Sequence, residues 1–248
     1  RGENDLFLWV DLFDPHEPWD PPLEFKEQYN PGYTGKEIID PVPSEVEGYL
    51  SPAEIANVRA LYAGEVTFVD KWIGELLRAA QGMGYFDDTV IIFTSDHGEP
   101  LDDHGFVRKH RPWLHEELAA VPLLVHLPGA GAGERREALV RLSDVAPTIC
   151  DAMGVDAMPG THGTSLLPLV RGDVASLRDY AITGIHCQSA AIRDGRWTLL
   201  LPGGSGEDEL YDRENDPDEL HNLIGEQQEE AFRLEAQFRR ELEELSWE

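Results

Sequence analysis

Thr89-Val90-Ile91-Ile92-Phe93-Thr94-Ser95-Asp96-His97-Gly98 is the stretch that decides the fold. Its first six residues are apolar or β-branched without interruption, the pattern of a strand buried on both faces of a parallel sheet. At the carboxyl end the character changes at once. Open α/β sheets bind their ligands there, and the residues offered are an oxygen donor, an imidazole and a glycine. Upstream, Ser51-Pro52-Ala53-Glu54 starts a helix, with Ser51 as N-cap and Glu54 closing a capping box. Ile55, Val58, Leu61, Tyr62, Val66, Val69, Trp72, Ile73, Leu76 and Leu77 then recur at helical spacing up to Gly82. A second apolar run, Val121 to Leu127, closes on Pro128-Gly129, and a helix is expected from about Ser143 to Met153. Strand, long helix and strand in that order predict an α/β domain, part of a doubly wound, mostly parallel sheet.

Working outward, Leu6 to Phe13 (LFLWVDLF) reads as a further buried strand. It runs into Asp14-Pro15-His16-Glu17-Pro18-Trp19-Asp20-Pro21-Pro22, where prolines forbid regular pairing. A Pro-, Gly- and Tyr-rich excursion continues to about Glu47. Beyond Pro159 the texture becomes that of short antiparallel strands, Tyr180–Thr183 and Ala190–Leu201, the latter turning at Asp194-Gly195. An amphipathic helix rich in Glu and Arg ends the chain from about Glu226 to Leu245. A boundary near residue 175 divides an α/β part, 1–175, from a small C-terminal α+β subdomain, 176–248, with antiparallel strands and a terminal helix.

The 248 residues carry 20 Lys and Arg against 48 Asp and Glu, a net charge of −28. Such a charge repels phosphate backbones and anionic lipid surfaces, so neither nucleic acid nor membrane is expected as a partner. No apolar run is long enough to span a bilayer. Cys150 and Cys187 form no C-x-x-C pair, which excludes a cysteine-based zinc site and a disulfide scaffold; Cys150 is expected in the core.

The chemistry concentrates in Ser95-Asp96-His97-Gly98-Glu99-Pro100-Leu101-Asp102-Asp103-His104-Gly105-Phe106-Val107-Arg108-Lys109-His110. Asp96 and His97 are able to share one divalent cation, and Lys109 comes within reach if the loop folds back. A metal, a neutral donor and an ammonium suit an anionic oxyester better than an amide. His16 stands in the other loop that leaves a predicted core strand, so the two loops are expected to meet. His110, Arg111 and Trp113 are candidates for a sugar or aryl site, although exposed aromatics more often serve packing.

These segments, in this order, resemble the sulfatase family of the alkaline phosphatase superfamily. Asp14-Pro15-His16-Glu17-Pro18-Trp19 is similar to the family loop whose His contacts the sulfate ester, and Phe93 to Glu99 to its metal-binding strand end. His104 and Lys109 match the His and Lys placed around the leaving group and sulfate oxygens. Glu209-Leu210-Tyr211-Asp212, Asp216-Pro217 and Asn222-Leu223 are similar to the C-terminal signature. The resemblance implies a sulfuric ester hydrolase acting on a small-molecule or glycan sulfate ester. Asp96 and His97 would ligate the metal, Ca²⁺ first and Mn²⁺ or Zn²⁺ as alternatives. Lys109 would bind sulfate and neutralise its growing charge, while His16 or His104 would protonate the departing alcohol, with His104 favoured.

Some family features are missing. Neither cysteine lies in the C/S-x-P/A-x-R context of the formylglycine nucleophile, and the paired N-terminal Asp ligands are absent. The chain therefore looks like a C-terminal half, expected to be inactive alone, with formylglycine supplied by the missing N-terminal part. In the matched loop, Pro100 and Asp102 stand where the family usually has an aromatic or small residue and Gly. A phosphonate monoester or phosphodiester hydrolase of the same superfamily, and a non-catalytic anion-binding remnant, are the alternatives.

Overall fold

The computed structural model describes residues 6–109, 114–129, 133–185, 189–204 and 206–244. They form two compact units: residues 6–91, 99–109 and 126–129 make up the first, and residues 92–98, 114–125 and the described residues from 133 to 244 the second.

The first unit is organised by one long helix. A short helix α1 (Leu23–Lys26) and a two-residue strand β1 (Ser44–Glu45) precede α2 (Pro52–Gly82). The expected capping box is present: Ser51 accepts from the Glu54 amide, and the Glu54 carboxylate accepts from the Ser51 amide at 2.9 Å. Two orphan amides at the helix start are thereby satisfied. Ile55, Val58 and Leu61 on the first turns of α2 pack with Trp19, Val46, Leu50 and Val107 into the core of this unit. Further along, Val66, Trp72 and Leu76 are exposed.

One expectation is overturned. Residues 6–13 adopt no strand, and Leu6, Phe7, Leu8, Trp9, Val10, Leu12 and Phe13 are 47–70% exposed. Apolar character favours burial, but a strand also needs a neighbour to complete its backbone hydrogen bonds, and the described residues provide none here.

In the decisive stretch, β2 (Ile91–Thr94) is hydrogen-bonded to β4 (Leu123–His126), while β3 (Phe106–Val107) pairs antiparallel with β1. The second unit adds α3 (Glu116–Ala119), α4 (Val145–Ala152) and α5 (Leu167–Arg171). Asp144, fully buried just ahead of α4, receives both guanidinium nitrogens of Arg178 at 2.6 Å and the Thr164 amide at 2.9 Å. Cys150, expected in the core, is only half-buried; Cys187 lies outside the described residues.

The C-terminal expectation holds closely. Strands β5 (Ala181–Ile185), β6 (Ser189–Arg193), β7 (Trp197–Leu201) and β8 (Glu209–Asp212) form one antiparallel sheet in chain order. The Asp194-Gly195 turn joins β6 to β7, with Asp194 N–H donating to the Trp197 carbonyl at 3.0 Å. Helix α6 (Gln228–Glu244) sets Ala231 and Leu234 against Ile192, Trp197, Leu199 and Leu210 of the sheet.

Candidate active site

The His16 loop is anchored by its tryptophan. Trp19 is fully buried, its indole N–H donates to the Pro15 carbonyl at 2.9 Å, and its amide donates to the Ile39 carbonyl at 2.6 Å. Prolines on either side limit the backbone between these anchors. His16 Nδ1 donates to the Glu17 carbonyl at 2.8 Å and lies 2.9 Å from Glu17 Oε2. A carbonyl only accepts, so the proton sits on Nδ1 and Nε2 is the ring atom available for exchange with a ligand.

The loop after residue 98 does fold back. Arg108 N–H donates to the Pro100 carbonyl at 3.0 Å, Leu101 bridges Val107, and Asp102 N–H donates to the Phe106 carbonyl at 2.6 Å. The result is a tight hairpin, joined to β1 through β3, with His104 half-buried at its turn. Asp102 stands at φ +76°, a left-handed value that glycine adopts freely and Asp tolerates. Arg59 Nη2 lies 3.8 Å from its carboxylate.

The fold-back delivers Lys109 to two carboxylates. Its Nζ is 3.4 Å from Glu17 Oε2 and 3.6 Å from Glu99 Oε2. Arg108 places Nε 2.5 Å from Glu17 Oε1 and Nη1 2.5 Å from Asp40 Oδ1. Burial alone would push the Glu17 carboxyl up, but its own backbone N–H and the charges of Lys109, Arg108 and His16 hold it below the usual carboxylate range. Glu99 behaves oppositely. Burial drives it up to about 7, with Lys109 holding it back and the Glu17 charge adding to the rise. The structure thus brings His16 and Lys109 to one carboxylate. Glu17, which touches both, and Glu99, which touches Lys109, had no role assigned from sequence. Both sit inside the quoted motifs, one beside His16 and one beside His97-Gly98, and that adjacency was the only signal available.

In the second unit, Asp96 and His97 follow β2 directly. Asp96 Oδ1 accepts the His97 amide at 2.9 Å, and Asp96 Oδ2 lies 3.6 Å from His97 Nε2. His97 Nδ1 donates to the Gly98 carbonyl at 2.8 Å, which leaves the Nε2 lone pair beside a carboxylate oxygen. A hard oxygen and an imidazole nitrogen side by side fit a divalent cation as two of its ligands. Among the described residues no group of three His, Cys, Asp or Glu side chains is placed to hold a metal. Gly98 is required by proximity more than by turning: a Cβ there would stand 2.1 Å from the Glu117 carbonyl oxygen, and its amide donates to the Leu118 carbonyl at 2.8 Å. His110, Arg111 and Trp113 lie outside the described residues.

An α/β strand end carrying Asp-His-Gly, together with a separate four-stranded antiparallel sheet and terminal helix, is the architecture of the alkaline phosphatase superfamily. Within it, the sulfatase family profile matches residues 1–155, and the profile described as N-sulphoglucosamine sulphohydrolase, C-terminal, matches residues 102–248. The chain belongs to the sulfatase family. It is 27% identical over 246 residues to an arylsulfatase of Clostridium perfringens, covering 88% of this chain and 49% of that protein. A protein solved in complex with its substrate D-glucosamine-2-N,6-O-disulfate superimposes with a TM-score of 0.68 at 27% identity, over 80% of this chain and 44% of the other. The phosphonate monoester hydrolase of Agrobacterium radiobacter does so with a TM-score of 0.63 at 29% identity, over 79% and 42%. The chain spans about half the length of the curated relatives it matches.

Proposed function

We propose that this chain belongs to a sulfuric ester hydrolase and carries part of its metal site together with its sulfate-binding and proton-donating groups. The observation that carries this reading is the pair at the end of β2, where His97 is held with Nε2 turned towards the Asp96 carboxylate. A divalent cation, Ca²⁺ before Mn²⁺ or Zn²⁺, and a formylglycine from residues outside this chain would supply polarisation of the sulfate and the attacking oxygen. Asp96 and His97 hold the cation. Lys109 and His16 bind the sulfate group, and Lys109 neutralises the charge that grows there. His104 or His16 delivers a proton to the leaving oxygen, which an alcohol needs near neutral pH and a nitrophenol does not. The ligand is a small-molecule or glycan sulfate ester. The relative solved with a disulfated glucosamine supports that class.

The test uses a longer form of the protein containing the nucleophile motif. Asp96→Ala should lose metal and turnover together, whereas Lys109→Ala should keep the metal and lose turnover. Full metal occupancy in the Asp96 variant removes it from the ligand set. His104→Ala and His16→Ala are then compared on a sugar sulfate and nitrophenyl sulfate: the proton donor's variant is selective for the sugar substrate. The 248-residue chain alone should show no turnover above buffer. A phosphonate or phosphate monoester is the second reading, favoured by the 29% identity to a phosphonate monoester hydrolase; side-by-side assays of the three ester types decide between them.

A further inference from the structure

The first unit contains a buried carboxylate whose connections exceed what a loop needs to fold. Glu17 is 4% exposed, yet it follows His16 directly in a surface loop between Pro15 and Pro18. Its two oxygens divide the work. Oε1 faces Arg108 Nε at 2.5 Å. Oε2 is shared by His16 Nδ1 at 2.9 Å and Lys109 Nζ at 3.4 Å. One atom therefore stands against the two side chains assigned above to the sulfate group, and Lys109 reaches it from 92 residues further along the chain than Glu17. Arg108 is held in turn by Asp40 and by the Pro41 carbonyl, to which its Nη1 donates at 3.1 Å. Lys109 has Glu99 on a second side.

We propose that Glu17 is a positioning residue that fixes the separation between the His16 imidazole and the Lys109 ammonium, and with it the size of the tetrahedral anion the two can grip. The inference rests on the sulfate-binding roles proposed for His16 and Lys109. The chemical logic is simple. Two cationic or hydrogen-donating groups left without an anion between them repel or drift, and each would pair with solvent on its own terms. A single ionised oxygen held within reach of both sets their spacing before any substrate arrives, so no reorganisation is needed on binding. Glu17 has that oxygen, it is held ionised by the same cations, and the Arg108 guanidinium lies against its other oxygen as a charge contact without a hydrogen bond. A neutral amide of the same shape would keep the packing and lose the attraction.

The experiment compares Glu17→Gln with Glu37→Gln. Glu37, itself half-exposed, pairs with the buried Lys26 in the same unit, so its variant loses a carboxylate–lysine pair without touching His16 or Lys109. The chain has only four lysines, Lys26, Lys36, Lys71 and Lys109, so ammonium nitrogen NMR of the ¹⁵N-labelled 248-residue chain resolves each. Glu17→Gln should shift and broaden the Lys109 signal and leave Lys26 unchanged; Glu37→Gln should do the reverse. In the longer protein, Glu17→Gln should lower kcat/KM for a sulfate ester at least tenfold. Inhibition by inorganic sulfate should weaken by a similar factor, with metal content unchanged. Glu37→Gln should lower thermal stability without either effect. An unmoved Lys109 signal, or kinetics of Glu17→Gln matching those of Glu37→Gln, overturns the proposal. Should the wild-type protein prefer phosphonate esters, the function reading falls while the same comparison, made on that substrate, still decides the role of Glu17. Should it turn over no ester at all, the NMR comparison decides.

Discussion

His115 Nδ1 donates to Glu219 Oε2 at 3.0 Å with the two side chains 2% and 0% exposed, and the same oxygen accepts the Glu116 amide at 3.2 Å. Burial would raise the Glu219 carboxyl, but the His115 hydrogen bond and the Arg193 charge outweigh it and hold the group below its usual range. Arg193 completes the arrangement by donating to the Leu114 carbonyl at 2.6 Å. The residues just before α3 are thus fastened to the C-terminal sheet by buried charge, and α3 in turn supplies the carbonyl that receives the Gly98 amide.

Breaking this fastening by Glu219→Ala should cost about 3–5 kcal/mol, the usual penalty for removing one partner of a buried charged pair. Glu219→Gln, which keeps an acceptor for His115 and loses the charge facing Arg193, should cost less. Denaturant unfolding of the two variants measures the order. Equal losses would mean that shape alone matters at this position.

Gly98→Ala should be more damaging than its single methyl suggests. The added carbon meets a backbone oxygen, which cannot swing aside as a side chain can. A loss of about 3 kcal/mol or more is expected, read as a lowered Tm. A neutral outcome would show that the Glu117 carbonyl yields.

Glu99 gives a pH dependence with a definite sign. Its folded-state value, about 7, lies above the 4.5 of an ordinary glutamate, so between those limits the folded chain binds more protons than the unfolded one. The stability from this group is fully present below about pH 4.5 and lost as pH rises through about 7; the total is on the order of 3 kcal/mol. Glu99→Gln should flatten that part of the Tm-against-pH curve and be more stable than the parent at pH 8. A variant with an unchanged slope would assign the dependence to another group.

Asp212 runs the other way. Arg196 grips it through hydrogen bonds to both oxygens, Asn215 and the Glu214 amide add more, and its carboxyl falls to about 2. Its contribution is present above about pH 4 and lost as pH falls towards 2. Asp212→Asn should remove part of the acid sensitivity of the C-terminal sheet, which Asp194, Asp216 and Glu219 share; circular dichroism between pH 5 and 2 reads it, and an unchanged acid transition would take Asp212 out of that set.

The elements visible in the sequence are those whose causes are local. The Ser51 and Glu54 reciprocal cap, the Asp194-Gly195 turn and the helical spacing through Leu77 each need only a few neighbouring residues, and each is where it was expected. Leu6 to Phe13 failed because apolar character reports a preference for burial and says nothing about which strand will stand alongside. The site divides in the same way. Asp96, His97, His16 and Lys109 are conspicuous by residue type, but Glu17 acquires its place only through Arg108 and Lys109, partners that no local window contains. The positive φ of Asp102 was equally hidden, since Asp occupies that region and ordinary loop backbone alike.

The exposed run from Leu6 to Phe13 has a practical consequence for how this polypeptide behaves in a tube. Apolar side chains presented in one contiguous stretch make neighbouring molecules adhesive, while a net charge of −28 keeps them apart. The repulsion acts over roughly 30 Å at 0.01 M salt and only about 3 Å at 1 M. Colloidal stability should therefore be governed by ionic strength, with clear solutions in dilute buffer and turbidity as salt is added, the reverse of ordinary salting-in.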